Sequence, residues 1–262
     1  MKCGIKLGAV IFLVCVFIII VAPGKFSYQH TLDMAIDWKI VDILGKEFPE
    51  EAIKKKNDVQ ITSHTHKIHG VDMFYREAEI PNGVKASGQS LLFLHGRSFK
   101  SETWENLGTL QLMAALGHKT VAVDLPGYGN THMTYSGDKA AFLKSIIEEL
   151  TLTKPVVISP SMSGGYSVSF LGKYADLISG YVPVAPVASD SVPKSVLQHI
   201  EVPTLIVYGS DDNTGLAETS FKNLKVLPNS REVKIEKAGH PAYLNQPELW
   251  HKLLYNFMKL LQ

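Results

Sequence analysis

The chain has 262 residues and a formal net charge of +1, with 45% of its residues apolar and 19% charged. That balance excludes a disordered chain and a strongly basic nucleic-acid binder, and the length suits one α/β domain with a sizeable core. The two cysteines are Cys3 and Cys15, so the rest of the chain holds no disulfide, thiol nucleophile or cysteine metal site.

The N-terminus reads MKCGIKLGAVIFLVCVFIIIVAPGK. Residues 7–22 carry no charge. At 1.5 Å per residue they span about 24 Å, a little short of a ~30 Å hydrocarbon core, and Gly4, Ile5 and a snorkelling Lys6 extend the run. A cleaved signal peptide is the competing reading. Ile20-Val21-Ala22 is a poor small-x-small cleavage site, however, and Pro23 follows it. Residues 1–24 are therefore read as a transmembrane signal-anchor. Lys2 and Lys6 before the run, against Lys25 after it, favour a cytoplasmic N-terminus and a single-pass type II membrane protein, with an additional cytoplasmic location also open.

Residues 25–58 read as an amphipathic stalk or linker. Leu32, Ile36, Ile40 and Ile43/Leu44 recur at helical spacing. Such a helix packs on the body of the protein or lies on the membrane surface. EEAIKKKND closes it as a solvated charged segment. From 59 to 262 the chain alternates strand and helix patterns. Residues 59–68 and 71–80 predict a hairpin turning at His69-Gly70. Strands follow at 90–94, 120–124, 156–159, 180–184, 204–208 and 232–236. Helices are predicted at 104–116, 140–150, 165–174, 221–224 and 248–261. This order predicts an α/β fold, a mostly parallel sheet with helices on both faces. Its ligands belong at the C-terminal ends of the strands. The segment between the strands ending near Val184 and starting at Thr204 is too short for a large cap domain.

The chemistry concentrates after the strand at 156–159, in Ser159-Pro160-Ser161-Met162-Ser163-Gly164-Gly165. A hydroxyl is a poor nucleophile unless a base, an orienting acid and an oxyanion site surround it. One solution places it on a sharp strand-to-helix turn, with small residues two before and two after because the backbones crowd there. Ser161 has Ser159 and Ser163 in those places. Ser163, flanked by Ser161 and Gly165, is the second candidate, two residues further from the strand. Downstream, YGSDDNTG offers Asp212 as the acid, with Asp211 as its neighbour. AGHPAYLNQPE then places His240 in the loop before the last helix, completing the order nucleophile, acid, histidine. Met162 N–H and a donor from FLHGRSF, Arg97 with Ser98 as its neighbour, are the predicted oxyanion pair. His95 reads as structural, DLPGYG as an architectural turn, and His118, His132, His199 and His251 as surface or helix histidines. A rival metal set of His64, His66 and His69 lacks further ligands, so no metal is expected.

Together, FLHGRSF, SETWENLGTL, DLPGYG, SPSMSGG, YGSDDNTG and AGHPAYLNQPELW resemble the α/β-hydrolases, and within them the α/β-hydrolase domain-containing protein 14 group, over residues 60–262. The N-terminal apolar run is similar to that of the membrane-anchored A-type member. The resemblance implies an α/β-hydrolase fold with a serine hydrolase triad of Ser161, Asp212 and His240. It implies hydrolysis of small acyl esters or acetylated protein lysines, no required cofactor, and coenzyme A as a candidate acyl acceptor. The soluble relative is also named as an interactor of a general transcription factor subunit. The competing class is a membrane-tethered, non-enzymatic interaction module on the same scaffold; it predicts a missing or misplaced triad member.

Overall fold

The computed structural model describes residues 38–262. The signal-anchor and the first part of the stalk lie outside them. Among the described residues no helix is long and apolar enough to cross a membrane.

Eight strands form one sheet: β1 (Ile61–Ile68), β2 (Val71–Ala78), β3 (Ser90–Phe93), β4 (Lys119–Val123), β5 (Val156–Pro160), β6 (Gly180–Val184), β7 (Thr204–Gly209) and β8 (Ser230–Ile235). Their order is β1-β2-β4-β3-β5-β6-β7-β8. β1 and β2 pair antiparallel, β2 joins β4 antiparallel, and all later pairings are parallel. The β1–β2 turn uses His69 (φ 48°) and Gly70 (φ 82°), two successive positive φ values whose twist suits a two-residue hairpin. β3, β5 and β6 are buried along their whole length, which is why they read as unbroken apolar runs.

Alternate strand residues face two separate cores. Leu92, Val121 and Val157 pack beneath α4 (Lys139–Glu149), α5 (Gly164–Tyr174) and α7 (Leu216–Leu224). Leu91, Phe93, Val156 and Ile158 pack beneath α2 (Ser101–Asn106), α3 (Thr109–Ala115), α8 (Ala242–Asn245) and α9 (Pro247–Leu260). Residues 185–203 join β6 to β7 with one short helix, α6 (Lys194–Leu197). The helix predicted at 104–116 is two helices. Gly108 breaks it with a left-handed φ of 76°.

The stalk departs from its predicted form where it is described. Residues 38–44 make turns instead of a helix. Ile40 is 83% exposed while Ile43 is 5% exposed, so they do not share a buried stripe. The segment is instead strapped to the β8 edge and to α9. Trp38 Nε1 donates to Asn229 Oδ1 at 2.6 Å, and Arg231 donates to the carbonyls of Trp38 and Val41. Asn256 clamps both backbone groups of Lys46. The charged EEAIKKKND is not wholly solvated either: it forms α1 (Glu50–Lys55) and buries Ala52.

Candidate active site

Four segments meet at the C-terminal edge of the sheet, beside β3 where the strand order reverses. β5 stops at Pro160, and a single 3-10 turn over Ser161–Ser163 feeds α5. Ser161 takes a φ of +50°, a conformation that costs a non-glycine residue energy and lifts its side chain out of the turn. Gly164 makes the tight turn possible: a Cβ there would lie 2.3 Å from Val187 O and 2.7 Å from Pro186 Cβ. The Val187 N–H donates to Ser161 O at 2.9 Å, tying the loop after β6 to the turn.

The two serines in the usual glycine places fill that crowded space and bond to each other. Ser159 Oγ and Ser163 Oγ are 2.9 Å apart, and Ser163 Oγ donates to Pro160 O at 2.8 Å. Ser159 continues to Ser167 Oγ at 2.6 Å, and Ser167 to Tyr181 OH at 2.7 Å. The four hydroxyls are buried behind the turn, and burial pushes the Tyr181 phenol up. Ser163 therefore faces the interior, whereas Ser161 faces His240.

His240 Nε2 accepts from Ser161 Oγ at 2.8 Å, and its Nδ1 donates to Asp212 Oδ2 at 2.7 Å. The Asp212 side chain is fully enclosed and that of His240 is 25% exposed. Burial alone would raise the Asp212 carboxyl. Hydrogen bonds from the Thr214 hydroxyl and N–H and from His240, with the nearby imidazole charge, outweigh it and hold the carboxyl below its ordinary value. Asp211 is occupied elsewhere: its carboxylate accepts from Ser210 Oγ, and its N–H donates to Ala238 O. β7 approaches the His240 loop so closely that a Cβ on Gly209 would lie 2.1 Å from Ala238 O. That contact brings Asp212 within reach of His240.

Above the serine lies a cavity of about 210 Å³ lined by Gly96, Arg97, Ser98, Phe99, Pro160, Ser161, His240, Pro241 and Tyr243. Gly96 sits against Ser161, where a Cβ on it would be 3.6 Å from Ser161 Cβ. The loop that carries Arg97 is held by His95. Its Nδ1 donates to Gly96 O at 2.8 Å, and its Nε2 accepts from Leu125 N–H at 2.9 Å. Burial lowers the His95 pKa, against the opposing pull of the Gly96 bond and Asp124, so the ring is a neutral brace. Asp124, from DLPGYG, accepts from the N–H groups of Ser101 and Asn130. A larger open groove of about 620 Å³ beside Phe48, Ile53 and Leu249 contains no member of the Ser-His-Asp set.

A family model described as "Alpha/beta hydrolase family" matches residues 91–199. ABHD14B of Rattus norvegicus, named a protein-lysine deacylase, is 42% identical over 208 residues, which cover 77% of this chain and 98% of that relative. The chain belongs to the alpha/beta hydrolase family. ABHD14A of Danio rerio is 39% identical over 216 residues, covering 78% of each chain. The two types thus match the hydrolase about equally, so its likeness to the A-type alone rests on the N-terminal run outside the described residues. A solved hydrolase from Thermoplasma acidophilum shares the fold, with a TM-score of 0.69 at 23% identity over 77% of this chain and 99% of that one. The chain is an enzyme of this family.

The remaining histidines of the hydrolase divide differently from their sequence reading. His118 is buried and outside any helix, against its surface-or-helix reading, whereas His251 is a helix histidine as read, on α9, with its ring buried. They bond Ser87 Oγ at 2.7 Å and Thr109 Oγ1 at 2.8 Å. His64, His66 and His69 diverge to Thr62, Glu149 and Ser145. Sequence reasoning passed over Thr214, the Ser159–Ser163–Ser167 ladder and the pocket walls Phe99, Pro241 and Tyr243. The ladder had no helical signal, since Ser159 lies on β5, Ser163 in the turn and Ser167 on α5. Asp-x-Thr is a recognisable side-chain turn. The pocket walls had no signal, because they converge only in the fold.

Proposed function

We propose that the enzyme is a serine hydrolase of acyl esters and acylated lysines that works through Ser161, His240 and Asp212. The continuous hydrogen-bonded chain from Ser161 Oγ through both His240 nitrogens to Asp212 carries this reading. His240 Nε2 takes the hydroxyl proton as Ser161 Oγ bonds to the acyl carbon, and the carbonyl π pair moves to oxygen. Asp212 holds the tautomer and stabilises the imidazolium. The N–H groups of Met162 and Arg97 receive the oxyanion. Its collapse expels the alcohol or amine, which takes the proton from His240. Water, or a thiol such as coenzyme A acting as second substrate, then attacks the acyl-serine with His240 as base.

The deacylase name of the rat relative supports acyl-lysine as one donor. The open approach over the short 185–203 connection suits acyl groups carried on a protein surface. The apolar run at 7–22 tethers the domain to a membrane as a single-pass type II anchor. Extraction of the full chain by detergent but not by alkaline carbonate tests that part.

The activity is tested with the full chain by following hydrolysis of methyl butyrate and of a butyryl-lysine peptide, with and without coenzyme A. Turnover that falls at least about 10³-fold in Ser161→Ala is the expected result. Equal turnover in wild type and variant contradicts it.

A further inference from the structure

The sequence contains 26 lysines and arginines, of which three are arginines: Arg76, Arg97 and Arg231. Two of them are fully engaged. Arg76 bonds Glu105 at 2.6 Å and Ser101 at 2.5 Å, and lies 3.7 Å from Glu102. Arg231 holds two backbone carbonyls of the N-terminal strap. Arg97 is different. It is exposed, lines the 210 Å³ cavity with Ser161 and His240, and among the described residues its guanidinium has no hydrogen-bond or ion-pair partner. The next cation along the loop, Lys100, is occupied by Glu102 at 2.9 Å. No acidic side chain lines the cavity.

A guanidinium without a partner, on a residue that lines a small concave site, offers a planar fork of donors that matches a carboxylate. It also gives the pocket an uncompensated positive field. The cavity is below the roughly 300–1,000 Å³ that holds drug-sized ligands, so the group it takes is a short chain rather than a nucleotide. Resting on the serine hydrolase reading, we propose that the Arg97 side chain selects acyl groups that end in a carboxylate, the half-acyl groups of short dicarboxylic acids. The acyl carbon sits at Ser161 and the distal carboxylate meets the guanidinium. The backbone N–H of the same residue serves the oxyanion, so the two roles separate: side-chain substitutions remove the fork and keep the N–H.

The test uses the full chain and two esters of equal length, monomethyl succinate and methyl butyrate, which differ in a terminal carboxylate against a methyl. The wild type is expected to favour monomethyl succinate by at least about tenfold in kcat/KM, mostly through KM, with the preference shrinking as salt rises. Arg97→Met removes the preference, Arg97→Lys keeps part of it, and Arg97→Glu reverses it. Equal rates on the two esters, or a preference unchanged in Arg97→Met, overturn the proposal and leave the hydrolase reading standing. An even ester ratio with a KM for coenzyme A that rises in Arg97→Met assigns the arginine to acceptor phosphates and also overturns it. No turnover of either ester, with no labelling of Ser161 by a fluorophosphonate, overturns both readings.

Discussion

Ser161 and Ser163 are two residues apart and chemically identical, yet their surroundings differ sharply. Ser161 takes the positive φ and meets His240; Ser163 is buried and spends its hydroxyl on Pro160 and Ser159. Ser163→Ala is expected to keep the nucleophile and to cost about 1–3 kcal/mol by leaving Ser159 and the Pro160 carbonyl short of a partner. Urea titration beside fluorophosphonate labelling checks both halves. Asp212→Asn keeps the shape of its site but no longer fixes the His240 tautomer, so kcat is expected to fall about 10⁴-fold with little change in the denaturation midpoint. A loss below tenfold argues that His240 is oriented by something else. At this scale the juxtaposition of Ser161, Asp212 and His240 is legible in the sequence, because each follows a strand that ends in a recognisable turn. Thr214 is less so, since its value comes from the carboxylate it holds rather than from its own type.

The element that matters most is the β5–turn–α5 unit. Its geometry depends on Gly164, whose α-hydrogen faces the Val187 carbonyl across a gap that admits no methyl. Gly164→Ala is expected to destabilise the fold by about 1–3 kcal/mol and to lower kcat by moving Ser161 from His240. A variant with wild-type stability and kcat contradicts this account of the turn. The strands at 156–159 and 180–184 and the closing helix at 248–261 were predicted to within a residue or two, because buried parallel strands and amphipathic helices carry strong patterns. The single helix expected at 104–116 failed at Gly108, where the apolar period runs on through a left-handed break. The described part of the helical stripe, residues 38–44, failed for another reason: the edge of β8 and the face of α9 supply better partners for Trp38 and Ile43 than a helix does.

Across the whole molecule, buried histidines make stability depend on pH, with His118 and His251 the most strongly shifted among the described residues. Burial pushes His118 and His251 down to about 4, with Lys259 and Lys56 adding to the shift. In the unfolded chain they titrate near 6.5. Between those values the unfolded state binds more protons, so stability is fully present above about pH 6.5 and is lost as pH falls toward 4. Each ring contributes up to about 3 kcal/mol. Urea midpoints are expected to drop between pH 7 and 4.5; a flat profile contradicts the assignment. The N-terminal strap belongs to the same scale. The Trp38 ring packs tilted against Phe257 with centroids 5.5 Å apart, and Phe48 likewise against Tyr255 at 5.3 Å, so a chain beginning at residue 59 is expected to unfold at lower urea than one beginning at 38. Sequence alone placed this segment in a linker, since its partners lie some 190–210 residues away along the chain.

The central claim is that Ser161 is an activated nucleophile. The most direct measurement is fluorophosphonate labelling of the full chain, wild type beside Ser161→Ala and Ser163→Ala. Labelling of wild type and Ser163→Ala, with none in Ser161→Ala, is the predicted result. Labelling that survives in Ser161→Ala, or is lost only in Ser163→Ala, contradicts it.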